Sequence, residues 1–225
     1  MLLTLEERKT RILKGIALLE KATQGMLPPL IDIIIEEYGK DPFLILISCL
    51  LSLRARDTST IHNCRRLFEK VRTPQALVKL SIEELQEILR PLNFYRKKAY
   101  VLHNVCQELI SRFNGQVPSN EEDLLSLKGV GRKTATLVLG KAFDVPAICV
   151  DTHVHRVSNR LGWVETKTPD ETEEALKQIV PRTKWIEFNR LLVTWGQNIC
   201  VPISPLCSKC VLFSLCPKIG VTKQR

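Results

Sequence analysis

No apolar run in this 225-residue chain approaches the ~18–20 residues that a membrane-spanning helix needs. The N-terminal stretch has no signal-peptide hydrophobic region, and Glu6 and Glu7 remove the acid-poor character of an organelle transit peptide. The protein is therefore expected to stay where it is made. Neither a sequence repeat nor a convincing strand pattern occurs, so the expected fold is all-α. No metal-binding histidine spacing is present. The eight cysteines do not form the framework of a small disulfide-stapled domain, because the chain is too long and too apolar to need one.

The composition that remains, 44% hydrophobic and 25% charged, is that of an ordinary soluble globular protein. Its length allows one large or two small domains. The formal net charge of +9 and a pI of about 9.2 favour a polyanionic partner.

Helix signals run along the whole chain. Residues 4–25 carry Leu5, Ile12, Ile16 and Leu19 on one side, with Gly25 as a stop. Pro28-Pro29 precedes a helix over 30–38. Asp41-Pro42 opens residues 43–53, which are too apolar to be anything but buried. Asp57 is the expected N-cap of a helix to about Val71. Thr73-Pro74 caps the next helix, and the box from Ser81 to Glu84 the one after. Residues 97–113 read as a long amphipathic helix closed by Asn114-Gly115. A second capping box, Ser119 to Glu122, starts a short helix to Leu127. Thr168-Pro169 caps a helix to about Val180, and residues 185–200 form the last long one.

Cys49, Cys64, Cys106 and Cys149 lie among apolar or helical residues and read as small core or helix-face side chains. Cys200, Cys207, Cys210 and Cys216 crowd into 17 positions as Cys-x6-Cys-x2-Cys-x5-Cys. Four thiolates in that pattern hold zinc or a 4Fe–4S cluster in a reducing compartment. Four-cysteine zinc sites usually show two close pairs, and only one is present here.

A second constellation begins at Leu127-Lys128-Gly129-Val130-Gly131-Arg132-Lys133-Thr134-Ala135. The two glycines permit a tight turn and close approach of a partner. The helix that follows presents unpaired N–H groups and the positive end of its dipole, which suits a phosphate. Lys133 lies in its first turn beside Arg132, where the positive field disfavours the ammonium form. An amine made partly neutral is a candidate nucleophile. Asp151 follows 18 positions later, after the apolar run 145–150. Taken singly, Lys133 also reads as a solvated helix-end lysine and Asp151 as an N-capping aspartate.

The hairpin run, followed by Val150-Asp151-Thr152-His153-Val154-His155-Arg156-Val157, resembles the helix-hairpin-helix DNA glycosylases, the endonuclease III branch most closely. The resemblance extends from about Phe43 to Cys216. It implies a helical barrel domain over 35–145, with the helix-hairpin-helix at about 119–143. It also implies a discontinuous second domain, 1–34 plus 146–225, carrying a 4Fe–4S cluster on Cys200, Cys207, Cys210 and Cys216. By the same resemblance Lys133 attacks the anomeric carbon of a nucleotide flipped into a pocket between the domains, and Asp151 steadies the electron-poor sugar. The Schiff base that forms then expels the 3′ phosphate by β-elimination. Gly129, Val130, Gly131 and Arg132 fall on DNA-binding positions, and Arg54, Phe94 and Tyr95 on loops that wedge into the duplex. Left to the residues alone, Phe94 reads as core. Arg54 replaces a glutamine common in the branch, Lys128 a proline and His155 an aromatic residue. His153 and His155 look like orienting or structural residues.

The implied function is a DNA glycosylase and abasic-site lyase acting on oxidised pyrimidines. Its expected partner is duplex DNA containing a damaged base or abasic site, bound by a monomer in a prokaryotic cytoplasm, at the nucleoid, and not secreted. Two alternatives stand beside it. One is a mismatch glycosylase for uracil or thymine, whose relatives replace the lysine by Tyr or Ser. The other is a non-catalytic iron–sulfur DNA-binding protein, which has no need of Lys133 or Asp151. Adenine-removing members carry a glutamate in the first barrel helix, and residues 43–53 contain no acid.

Overall fold

The computed structural model describes residues 4–225. Twelve α-helices and no strands occur among the described residues. In chain order they are α1 (Leu5–Ala22), α2 (Leu30–Tyr38), α3 (Pro42–Ser52), α4 (Asp57–Phe68), α5 (Pro74–Leu77) and α6 (Ile82–Leu89). There follow α7 (Tyr95–Phe113), α8 (Glu121–Ser126), α9 (Arg132–Phe143), α10 (Thr152–Arg160), α11 (Pro169–Ile179) and α12 (Trp185–Asn198). The chain divides into two compact units, Pro29–Val145 and Met1–Pro28 with Pro146–Arg225.

The Pro29–Val145 unit is built around α3. Asp41 Oδ1 accepts from the Phe43 and Leu44 N–H groups at 2.8 and 3.0 Å, and Pro42 presets the first helical φ. Every side chain over residues 43–51 is buried, as expected of a helix apolar on all sides. Helices α2, α4, α7 and α9 pack around it. At about 1.5–3 kcal/mol for each large apolar side chain, this helix contributes more to the unit's core than any surface ion pair. Lys141 on α9 pairs with Asp32 on α2 in a largely buried salt bridge, which anchors the C-terminal end of α9.

In the other unit α1, α10, α11 and α12 enclose Trp163, Phe188 and Trp195. The Trp163 and Phe188 rings lie 6.0 Å apart. A Cβ on Gly15 of α1 would sit 2.4 Å from Trp163 Cζ2, so α1 docks here only with glycine at that position. Lys184 Nζ reaches Glu20 at 2.7 Å.

Several local expectations are corrected. Asp57 is the first residue of α4, and Arg56 occupies the N-cap position. Asp57 Oδ2 accepts instead from the Leu30 N–H at 3.4 Å, serving the start of α2. Helix α8 is capped by Asn120, whose Oδ1 accepts from the Asp123 N–H at 2.9 Å, and not by Ser119. Helix α7 begins at Tyr95, two residues before the expected start. Leu5, expected on the apolar side of α1, is 53% exposed, and that side is made by Ile12, Ile16 and Leu19. Thr73, Ser81 and Thr168 cap as expected. Cys49, Cys64, Cys106 and Cys149 are buried. Burial pushes the Cys64 and Cys106 thiols up to about 12, which leaves them inert at neutral pH.

Candidate functional site

The hairpin between α8 and α9 is held from below by Val130, which is 6% exposed and donates its N–H to Leu127 O at 3.0 Å. Gly129 has φ +106°, and a Cβ there would fall 2.7 Å from Val101 Cγ1 on α7. Both the turn and its seat on α7 therefore require glycine. Gly131 differs. Its φ is −97°, open to any residue, and a Cβ would meet nothing within 4 Å. It is the N-cap of α9 and supplies no side-chain cap, and Ala135 N–H reaches its carbonyl at 3.0 Å. Arg132 and Lys133 are exposed in the first turn, which contains no acidic residue. Two cations and the positive end of α9 thus face outward together, an arrangement that draws anions.

Arg54 and Phe94, far apart in sequence, lie on adjoining loops. Each has left-handed backbone, with φ 54° and 59°, a conformation disfavoured for side chains this large. Asn93 Nδ2 reaches Arg54 O at 3.5 Å. Phe94, read from the residues alone as core, is 58% exposed. Tyr95 is half-buried, its ring flanked by the guanidinium carbons of Arg90 at 5.4 Å and Arg96 at 5.6 Å.

In the second unit Asp151 is the N-cap of α10. Its Oδ1 accepts from the His153 and Val154 N–H groups at 2.8 and 2.9 Å, which fixes the carboxylate. His153 Nδ1 lies 3.2 Å from Arg156 Nη2, and Arg156 Nη2 donates to Gly196 O at 2.8 Å and Cys200 O at 2.9 Å. His155 Nδ1 lies 2.6 Å from Thr172 Oγ1. Arg160 donates to Val201 O and Pro202 O at 2.7 and 2.6 Å, with Nη1 3.5 Å from Cys200 Sγ. Helix α10 thereby carries the fixed carboxylate at one end and grips the start of the cysteine loop with two arginines.

Cys200, Cys207, Cys210 and Cys216 line one narrow cavity, together with Arg160, Trp195 and Leu212. Among the described residues no three His, Cys, Asp or Glu side chains converge as ligands of a single metal ion. The Lys218 N–H donates to Cys216 Sγ at 3.3 Å. Burial pushes the Cys210 and Cys216 thiols up, while N–H groups beside them pull the other way. Trp195 Nε1 is buried at this cavity with no partner at hydrogen-bond distance, although it lies near enough to favour the Cys210 thiolate.

The family described as HhH-GPD superfamily base excision DNA repair protein matches residues 47–182. Endonuclease III of Thermotoga maritima is 48% identical over 176 residues, covering 78% of this chain and 83% of that protein. This chain belongs to the HhH-GPD superfamily, in the endonuclease III family. A solved non-covalent endonuclease III–DNA complex superposes with a TM-score of 0.84 at 36% identity, covering 93% of this chain and 95% of that one. A trapped endonuclease III–DNA covalent intermediate superposes at 0.82 and 35% identity, covering 93% and 96%.

Within this endonuclease III fold, two features escaped the reading of the sequence. Arg96, Lys97 and Lys128 line an open groove of about 530 Å³ with Tyr100, Val101, Asn104 and Gly129. Spacing alone does not show that Lys128 of the hairpin faces the first turn of α7. The other is Lys98, which is 7% exposed and donates from Nζ to Leu51 O at 2.8 Å and Leu53 O at 2.6 Å. Burial pulls its ammonium down to about 8. In the sequence it is merely the third cation of Arg96-Lys97-Lys98.

Proposed function

We propose that this protein is a bifunctional DNA glycosylase and abasic-site lyase that removes oxidised pyrimidines from duplex DNA. The observation that carries the reading is the exposed Lys133 in the first turn of α9, behind a glycine hairpin, in a member of the endonuclease III family. The covalent intermediate trapped for a structural neighbour supports a nucleophilic route. Lys133 Nζ forms a bond to the anomeric carbon as the glycosidic bond breaks, and the base leaves. The bond from the anomeric carbon to the ring oxygen then breaks, the oxygen takes up a proton, and the protonated imine remains. At a ready-made abasic site the same imine forms by loss of water from the carbinolamine. Removal of a proton from the adjacent sugar carbon then expels the 3′ phosphate. Asp151 stabilises the positive charge on the sugar, and the two N–H bonds to its Oδ1 hold it ready.

Gly129, Val130, Gly131 and Arg132 bind a phosphate through the hairpin and the N-terminus of α9, and the Arg96–Lys97–Lys128 groove follows the backbone beside it. Arg54, Phe94 and Tyr95 fill the gap left by the flipped nucleotide. Phe94 is suited to this by its exposure.

The cysteine loop fits a 4Fe–4S cluster held by Cys200, Cys207, Cys210 and Cys216. The four thiols line one cavity, and only one close Cys-x2-Cys pair is present where four-cysteine zinc sites usually show two. The Trp195 N–H beside Cys210 and the Lys218 N–H on Cys216 Sγ suit sulfur acceptors. Such a cluster cross-links the loop and gives the Met1–Pro28, Pro146–Arg225 unit its C-terminal frame. A substrate panel tests the reading: duplexes with an oxidised pyrimidine, a uracil or thymine mismatch, and a ready-made abasic site. Base release plus β-elimination on the first and cleavage of the last are expected. Base release confined to mismatches, with no strand cleavage, contradicts it.

A further inference from the structure

We infer that Lys98 is a positioning residue: its buried ammonium ties the C-terminal carbonyls of α3 to the first turn of α7, and so holds the Arg54 and Phe94 loops in the conformation that enters the duplex. The inference rests on the glycosylase reading above and concerns only how the wedge is kept in shape.

The last carbonyls of a helix have no intrahelical partner and carry the negative end of its dipole. Lys98 Nζ donates to two of them, Leu51 O and Leu53 O. The residue after Leu53 is Arg54, and the residue before α7 is Phe94, both on left-handed backbone and both exposed. Left-handed conformations of large side chains persist only where the surroundings impose them. Beside the local backbone bonds, such as Lys98 N–H to Phe94 O at 2.9 Å, the contacts that join the two loops are the Lys98 pair and the Asn93–Arg54 bond. A lysine buried to 7% exposure is costly to the fold. Its low pKa, caused by that burial, records the same cost. Apolar residues at this position would fill the core without it, and they would leave both loops free to relax.

The test compares single-turnover cleavage by wild type and Lys98→Met of one abasic site in two contexts, a duplex and a single-stranded oligonucleotide. The duplex must be wedged open and the single strand need not be. Lys98→Met is expected to lose about tenfold or more on the duplex, the scale of a lost charge-assisted hydrogen bond, and to change little on the single strand. The fluorescence rise of 2-aminopurine opposite the site should fall in parallel, with melting temperature reported beside it. Equal loss on both substrates, or no loss on the duplex, overturns the inference. Asn93→Ala, at an exposed position, serves if Lys98→Met does not fold. It should lose selectively on the duplex, and unchanged duplex cleavage counts against the clamp. Failure of the glycosylase reading looks different, because wild type itself then leaves abasic DNA intact.

Discussion

Asp151 combines two roles that a single substitution separates. Its Oδ1 caps α10, and its charge is assigned to the sugar. Asparagine caps a helix about as well as aspartate, so Asp151→Asn should fold normally. Base release should slow by about 10²–10³, the usual cost of removing one preorganised electrostatic group. Cleavage of a ready-made abasic site should fall much less, because its glycosidic bond is already broken. Single-turnover rates on the two substrates check this, and equal losses argue against the assigned role. The residue scale is also where sequence reasoning was weakest. Lys98 sits in a basic run, and only the packing of α7 against the end of α3 separates it from its exposed neighbours Arg96 and Lys97. Asp57 reads as a cap because of its residue type. The Leu30 N–H, distant in sequence, decides what it serves.

At the scale of an element, the two hairpin glycines should respond differently. Gly129→Ala places a Cβ at φ +106° against Val101. It should destabilise the protein by about 1–2 kcal/mol for the backbone alone, with further loss from the contact. Gly131→Ala meets open space at an ordinary φ. It should cost less stability than Gly129→Ala, about 1 kcal/mol or less for the poorer N-cap, and weaken DNA binding through a methyl group at the proposed phosphate position. Thermal melts and binding isotherms of the pair decide between these outcomes, and identical behaviour contradicts the division of labour. The cysteine loop gives a second contrast. On the cluster reading, wild type and Cys64→Ala should contain iron and absorb visible light, and Cys207→Ala should do neither. Stoichiometric zinc in anaerobically prepared wild type overturns the cluster assignment. Helix existence and most caps were legible, since Thr73, Ser81 and Thr168 act within their own segments. The packing of α1 on α11 and α12 was not. Gly15 is needed because of Trp163, and nothing near Gly15 in the chain shows it.

At the scale of the whole molecule, part of the +9 charge is gathered near the hairpin. Arg132 and Lys133 crown α9, and Arg96, Lys97 and Lys128 line the neighbouring groove. DNA affinity should therefore fall steeply with salt. Charge-removing substitutions at Arg96 or Lys128 should each lower the log–log slope by about 0.9. An affinity independent of salt in wild type marks the charge as a solubility feature. The same charge balance was plain in the composition, while its concentration beside the hairpin required the fold.

The central claim is that Lys133 is the nucleophile, and borohydride trapping on abasic duplex DNA tests it most directly. Wild type should form a covalent adduct, and peptide mapping should place it on Lys133. Lys133→Gln keeps the size and polarity of the side chain and removes the amine. It should neither trap nor cleave, and it should still bind DNA through the hairpin amides and the remaining cations. A Lys133→Gln protein that traps and cleaves at the wild-type rate makes another amine the nucleophile and contradicts the account.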